Sequence, residues 1–482
     1  MMPFIPNNAN WRFETIPQTG LNNRTGFQPR GRGLGGSSAI NAMVYIRGCK
    51  WDYDNWAALG CEGWGYGDVL PVFKRAEANV RCGDDFHGHD GPLSVSDQLW
   101  ANAGSKDFVE AAAELQLPRN DDFNGAQFEG FGLYQVTQKQ GERWSAARAY
   151  VEPQAAAGRL HVETGALVEK VLVKDGRATG VVIRQGWFSG EKTIRARGAV
   201  ILSGGAFGTP QTLMLSGIGP ADHLRDHGVD VVVDKPAVGS DLQDHIDYVG
   251  GFETGGDLFS GANLATTIRT GRNILQWRKD RTGGLTTPYA EAGGFAKVMP
   301  DAPAPDVQFH FVPAILEDHG RTKVSEAGYS IHVCVLRPES RGTVRLASPN
   351  SRAAPLIDPN FLDDDRDMAV MKAGVRLLHR IAAAPALAKH GGSDRHDTPL
   401  DNDVALEHMI RERSDTVYHP VGSARMGADA DAVCDTRLRV RGVERLYIAD
   451  ASVMPRLVSG NTNAPTMMIG ERCSDFVAAD LG

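Results

Sequence analysis

Apolar residues along this chain recur with two different periods, and the switches between them predict most of the folded elements. Residues 168–173 and 179–183 are largely apolar and flank Asp175-Gly176. A two-residue Asp-Gly turn matches the twist of paired strands, so this pattern predicts a β-hairpin. His161-Val-Glu-Thr, just before it, also reads as a strand. Ala199-Val-Ile-Leu202 is short, wholly apolar and runs into Ser203-Gly-Gly205. That combination predicts a strand buried on both faces, ending in a tight turn beside a ligand. Residues 307–311, 331–335 and 344–346 alternate with period two. They read as antiparallel strands with one covered face and one polar enough to line a cavity. Residues 363–384 change to a helical period: Met371, Val375, Leu378 and Ala382 share a stripe, and acids at the start suit the positive end of the helix dipole. Leu446-Tyr-Ile-Ala-Asp450 reads as a strand closing on an acid, and residues 464–479 as a last helix started by Pro465.

The densest chemical signal is Gly31-Arg-Gly-Leu-Gly-Gly-Ser-Ser-Ala-Ile-Asn41, followed by Ala-Met-Val-Tyr-Ile46. Backbone without bulky side chains can lie against a flat cofactor or a pyrophosphate. Gly31, Gly33 and Gly36 spell G-x-G-x-x-G, and Asp52 falls where a ribose-binding acid would be expected. That fingerprint needs a hydrophobic strand before it, whereas Thr25-Gly-Phe-Gln-Pro-Arg30 is polar and contains Pro29. A nicotinamide site is therefore rejected here. A solvated surface loop is also rejected, because residues 39–46 are too apolar.

Composition narrows the class. With 482 residues the chain can bury a large core, and two structural units are expected. The balance of 51 basic against 59 acidic residues gives a net charge of −8, without the basic runs of a nucleic-acid binder. No apolar run approaches the roughly 18 residues of a membrane span, and Met1-Met-Pro-Phe-Ile-Pro lacks the form of a signal peptide. Cys49, Cys61, Cys82, Cys334, Cys434 and Cys473 are scattered, which favours buried or idle thiols in a reducing cytoplasm. His87-Gly-His89 offers two imidazoles without a third ligand motif, so a flexible loop is expected there and no metal.

The glycine-rich segment resembles the first signature of the glucose–methanol–choline (GMC) family of FAD-dependent oxidoreductases. Three further segments resemble that family's other motifs in the same order: residues 205–219 (with Thr212 where the family usually has an aliphatic residue), His419-Pro-Val-Gly-Ser-Ala-Arg-Met-Gly427, and Asp450-Ala-Ser-Val-Met-Pro455 through Gly460-Asn-Thr-Asn-Ala-Pro-Thr466. The resemblance implies a mixed α/β fold, a Rossmann-like FAD-binding domain interleaved with a substrate domain built on an antiparallel sheet. The expected division is 1–240 for the mostly FAD-binding N-terminal region, 241–337 for the substrate sheet and its loops, and 338–475 for the C-terminal region that returns to the FAD domain with the active site. Family members normally begin several dozen residues further upstream, with a strand, G-x-G-x-x-G and a helix. The expectation is an FAD enzyme whose given sequence starts after that unit.

The resemblance also implies site residues. His419 matches the family's general acid/base; a neutral imidazole can take an alcohol proton near pH 7 and return it. Asn463 matches its partner, where some members carry a second His, and an amide can orient the alcohol oxygen. Gly36, Asn41, Met43, Val44, Val168, Asp450, Ala451, Asn461 and Thr466 match cofactor-binding positions. Ile40 stands where some relatives carry a His bonded to FAD, so non-covalent FAD is expected. His245 reads as structural or cavity-lining. The implied reaction is oxidation of an alcohol, primary by preference, in the manner of choline dehydrogenases and alkyl or polyether alcohol dehydrogenases, with hydride passing to flavin N5. The electron acceptor is open among a quinone, another carrier and oxygen. The implied location is cytoplasmic, or peripheral to the inner membrane. Two alternatives stand beside this reading: a hydroxynitrile-lyase-type enzyme on the same scaffold, and a truncated, flavin-less product.

Overall fold

The computed structural model describes residues 7–81, 85–186 and 190–482; Met1 to Pro6 and Cys82, read above from sequence, lie outside them. The elements that position the site are, in chain order, β1 (Gly130–Leu133), β2 (Ala166–Lys174), β3 (Arg177–Gln185), β4 (Glu191–Arg195), β5 (Val200–Leu202), β6 (Ile246–Glu253), β7 (Ala292–Ala296), β8 (Val307–Val312), β9 (Gly328–Val335), β10 (Thr343–Arg345) and β11 (Leu446–Ile448). The helices are α1 (Gly205–Leu215), α2 (Leu264–Asp280), α3 (Asp365–Ala383) and α4 (Asn463–Leu481).

An antiparallel sheet in the order β6-β9-β8-β7-β1 dominates the middle of the chain, with two short strands, Ser393–Asp394 and Asp415–Thr416, added against β6. Period-two alternation gives it two different faces. Val307, Phe309, Phe311, Ile331, Val333 and Val335 point into a core shared with Met371, Val375, Leu378 and Ile381 of α3. Gly374 lets α3 approach the sheet, since a Cβ there would stand 2.8 Å from Val333. The opposite face carries Asp247, His310 and His332 and borders a large cavity. Residues 344–346 differ from expectation. β10 leaves this sheet and pairs with Leu356–Asp358, since the chain turns away from β9 before resuming extended structure.

The second core surrounds β5 and β11, which pair in parallel, and α4, which packs Ala464, Met468, Ile469 and Cys473 into it. β2, β3 and β4 form an antiparallel sheet beside it. Asp175 and Gly176 take φ of 51° and 74°, the doubly positive turn expected of Asp-Gly. Two readings fail here. Residues 161–164 form no strand: they are mostly exposed and pair with no strand among the described residues. β5 is not covered on both faces, because Ile201 is 47% exposed while Val200 and Leu202 are buried.

The cysteines at 49, 61, 334, 434 and 473 are free and buried. The His87 segment is pinned rather than flexible. His87 is buried between Glu77 (3.1 Å) and Asp122 (2.9 Å), with Arg47 also paired to Glu77, while His89 is exposed. Among the described residues no helix is long and apolar enough to cross a membrane.

Candidate active site

One cavity of about 1460 Å³ lies between the polar face of the large sheet and the β5–β11 core. All eleven residues expected at the site line it: His419 and Asn463, together with Gly36, Asn41, Met43, Val44, Val168, Asp450, Ala451, Asn461 and Thr466.

His419 is held from both sides of its ring. Its main-chain N–H donates to Asp244 Oδ1 at 2.8 Å, and Asp244 Oδ2 accepts from Thr416 Oγ1 at 2.6 Å. The preceding residue, Tyr418, is left-handed (φ 76°), an uncommon state for a bulky residue. Hydrogen bonds from Tyr418 N–H to Thr416 Oγ1 (2.7 Å) and between Tyr418 OH and His319 Nδ1 (2.6 Å) hold that kink.

A hydrogen-bond chain sets the tautomer. His245 Nε2 lies 3.1 Å from the Leu336 carbonyl, which can only accept, so that nitrogen carries the proton. Burial pushes the His245 pKa down to about 3, so the ring is neutral and its Nδ1 is an acceptor. His419 Nδ1, 2.9 Å away, must then donate to it. Burial first, and then His245, His310 and Arg30, hold His419 well below the usual imidazole range, so it too is neutral. Its Nε2 is left with a bare lone pair.

That lone pair meets Asn461, whose Nδ2 lies 3.1 Å from His419 Nε2. Gln308 Nε2 donates to Asn461 Oδ1 at 3.2 Å, which fixes the amide with its NH₂ toward the histidine. Asn461 is therefore the amide hydrogen-bonded to His419. Asn463 begins α4, lines the same cavity, and has a buried Nδ2 without a hydrogen-bond partner.

The remaining cavity wall divides by chemistry. Gly33, Gly36, Gly205 and Gly208 line it with open space where a Cβ would stand. Gly33, Gly36 and Gly205 also have positive φ, which glycine alone adopts readily. Arg143 braces this loop, donating to the Ser38 carbonyl (3.1 Å) and to Asn41 Oδ1 and O (both 2.7 Å). Asp450 Oδ2 accepts from Gly205 N–H (2.9 Å) and Thr209 Oγ1 (2.6 Å), so it satisfies the start of α1. Arg30 lines the cavity with Nε and one terminal nitrogen buried and unpaired, and burial lowers its pKa to about 10. On the sheet side His332 Nδ1 is 2.6 Å from Asp247 Oδ2, while His332 Nε2, Asp247 Oδ1 and His310 Nδ1 are buried without partners. Bare glycine backbone and unpaired buried donors fit a large, flat cofactor with polar edges.

Sequence reading missed Gln308, His310, His332, Asp244 and Arg143, and underrated His245. The first three carried a usable signal: they occupy the polar phase of the alternating strands. Asp244 and Arg143 act across 175 and 102 residues of chain, where no local pattern reaches.

Two GMC oxidoreductase profiles match the chain, over residues 14–247 and 338–470. The chain is 44% identical over 478 residues to an alcohol dehydrogenase [acceptor] of Pseudomonas putida, covering 97% of this chain and 85% of that one. It is 41% identical over 474 residues to the mitochondrial choline dehydrogenase of Mus musculus, covering 97% and 78%. Among solved structures, pyridoxine 4-oxidase from Mesorbium loti superposes with a TM-score of 0.86 at 27% identity, over 98% of this chain and 89% of that one. A cavity built from these motifs, with a neutral histidine at its centre, and matches of this extent lead to one conclusion: the chain belongs to the GMC oxidoreductase family and is an oxidoreductase.

Proposed function

We propose that this protein oxidises an alcohol, primary by preference, to its carbonyl product, with His419 Nε2 taking the hydroxyl proton. The observation that carries the reading is a buried, neutral His419 on the cavity wall whose unprotonated Nε2 accepts from the Asn461 amide, a hydrogen bond that an alcohol O–H would replace. FAD, implied by the family and bound non-covalently, supplies the hydride acceptor. The glycine backbone at Gly36 and Gly205, with Asn41, Met43, Asp450 and Thr466, would hold it.

The chain's own residues do the rest. Asn461 Nδ2 donates toward the substrate oxygen and orients it, while Gln308 keeps that amide from turning over. Its hydrogen bond to His419 favours Asn461 for the oxygen-orienting role, and the unpaired Asn463 Nδ2 suits a cofactor edge instead. As the O–H proton passes to Nε2, positive charge develops on a ring whose Nδ1–H already points at His245, so the charge is shared along a preformed hydrogen bond. The C–H hydrogen leaves as hydride, and the carbon–oxygen bond becomes a carbonyl. The relatives named above support an alcohol or choline-like substrate.

The test is flavin absorbance in FAD-loaded protein. A short-chain primary alcohol or choline should bleach it, and His419→Ala should slow bleaching by roughly 10²–10⁴-fold without loss of bound flavin. Undiminished bleaching in that variant would refute the base assignment. Redox silence toward every alcohol, with cleavage of a cyanohydrin, would replace the reaction by a lyase.

A further inference from the structure

Helix α2 shows the reverse of the usual surface pattern. A globular surface helix turns its apolar stripe inward, yet none of the side chains of Leu264–Asp280 is fully buried. Leu264, Ile268 and Leu275 are 74%, 50% and 68% exposed. At about 100° per residue these three, with Gly271 between them, fall within a single strip about 60° wide. Arg272 and Lys279 flank the strip on one side and Arg278 on the other. All three are exposed and none forms an ion pair within 4 Å among the described residues, though Lys279 acts on its neighbour Asp280. The opposite face ties the helix down: Trp277 Nε1 donates to the Gly141 carbonyl (2.9 Å) and Arg269 to Ser260 Oγ (2.8 Å). Asn263 caps the start through Thr266 N–H. The helix is thus fixed in place with its apolar ridge outward. The chain on either side of it, Ser260–Ala262 and Pro288–Ala290, lines the cavity.

We propose that α2 is a docking element for an anionic phospholipid surface, with Leu264, Ile268 and Leu275 entering the headgroup–acyl boundary and Arg272, Arg278 and Lys279 pairing with lipid phosphates. A local cluster of unpaired cations on a chain of net charge −8 selects a negatively charged partner. A ridge one side chain wide matches the shallow insertion of an interfacial helix. Docking there brings the part of the cavity wall formed by Ser260–Ala262 and Pro288–Ala290 toward the membrane surface, where apolar alcohols and lipid-soluble electron carriers concentrate.

Co-sedimentation of the full chain with vesicles of phosphatidylglycerol and phosphatidylethanolamine tests this, against vesicles of phosphatidylcholine alone. Binding is expected to the first and not the second, and to weaken as salt rises. The double substitution Leu264→Asp with Leu275→Asp should lower partition about tenfold, as should Arg272→Gln with Arg278→Gln, both with unchanged alcohol oxidation using a soluble dye. The second pair leaves the apolar ridge intact, so it stands as the test if the aspartates disturb the helix. Absence of binding, equal binding to both vesicles, or binding undiminished in the arginine variant would overturn the proposal. So would a concentration-dependent dimer that Leu264→Asp with Leu275→Asp dissolves, because the ridge would then be covered by a second copy.

Discussion

The reactive state of His419 is set by atoms that never meet substrate. His245 Nδ1 accepts a hydrogen bond from His419 Nδ1–H, and the Leu336 carbonyl accepts one from His245 Nε2–H. His245→Leu removes the acceptor and lets the proton of His419 move to Nε2, the atom that must be bare. The expected result is a fall in kcat of about 10–100-fold with KM little changed, partly recovered in His245→Gln, which keeps an acceptor. Steady-state kinetics of the FAD-loaded variants decide it; equal loss in both would mean the ring is only packing. The pH profile belongs to the same scale. A histidine whose pKa is lowered is protonated, and so lost as a base, only in more acidic solution. The acid limb of kcat/KM should therefore lie below the ordinary value near 6.5, and a bend at or above 6.5 would contradict a buried neutral base.

Among elements, the large sheet and α3 are the most exposed to a simple packing test. Leu378 is fully buried against the sheet, so Leu378→Ala should cost about 2–5 kcal/mol in denaturant unfolding. A cost near zero would show that the helix is not docked as described. This is also the scale at which sequence spoke most clearly. The alternation of residues 307–311 and 331–335 and the stripe from Met371 to Ala382 each needed only a local period, and each element formed. The failures had non-local causes. Residues 161–164 have strand-like sequence but no strand to pair with, and Ile201 belongs to an apolar run whose middle residue faces outward. The glycine loop could be placed at the cavity from its composition, but the grip of Arg143 on it could not. Asn461 and Asn463 are alike in sequence and two residues apart; only the reach of Gln308 from a distant strand separates their hydrogen bonding.

At the scale of the whole molecule, the buried ion network around His87 links the N-terminal third of the chain to stability. Burial alone would lower the His87 pKa, but hydrogen bonds to Asp122 and Glu77 outweigh it and raise the value to about 9. A pKa above the ordinary 6.5 means that the folded state holds the proton more tightly. This contribution is therefore complete below pH 6.5 and disappears as pH rises through about 9. Its size is about 3 kcal/mol. Thermal stability of the native chain should fall between pH 7 and 9.5, and His87→Gln should be less stable at pH 6.5 and nearly flat across that interval. A native chain of constant Tm there would show that the network carries no proton-linked stability.

The Leu336 carbonyl has a consequence for how this site tolerates change. The proton arrangement of both imidazoles is anchored on a main-chain oxygen, an atom every amino acid supplies. Drift at position 336 among aliphatic residues can alter packing but leaves that anchor in place. Heredity at this position is therefore free to vary while the base it governs stays the same.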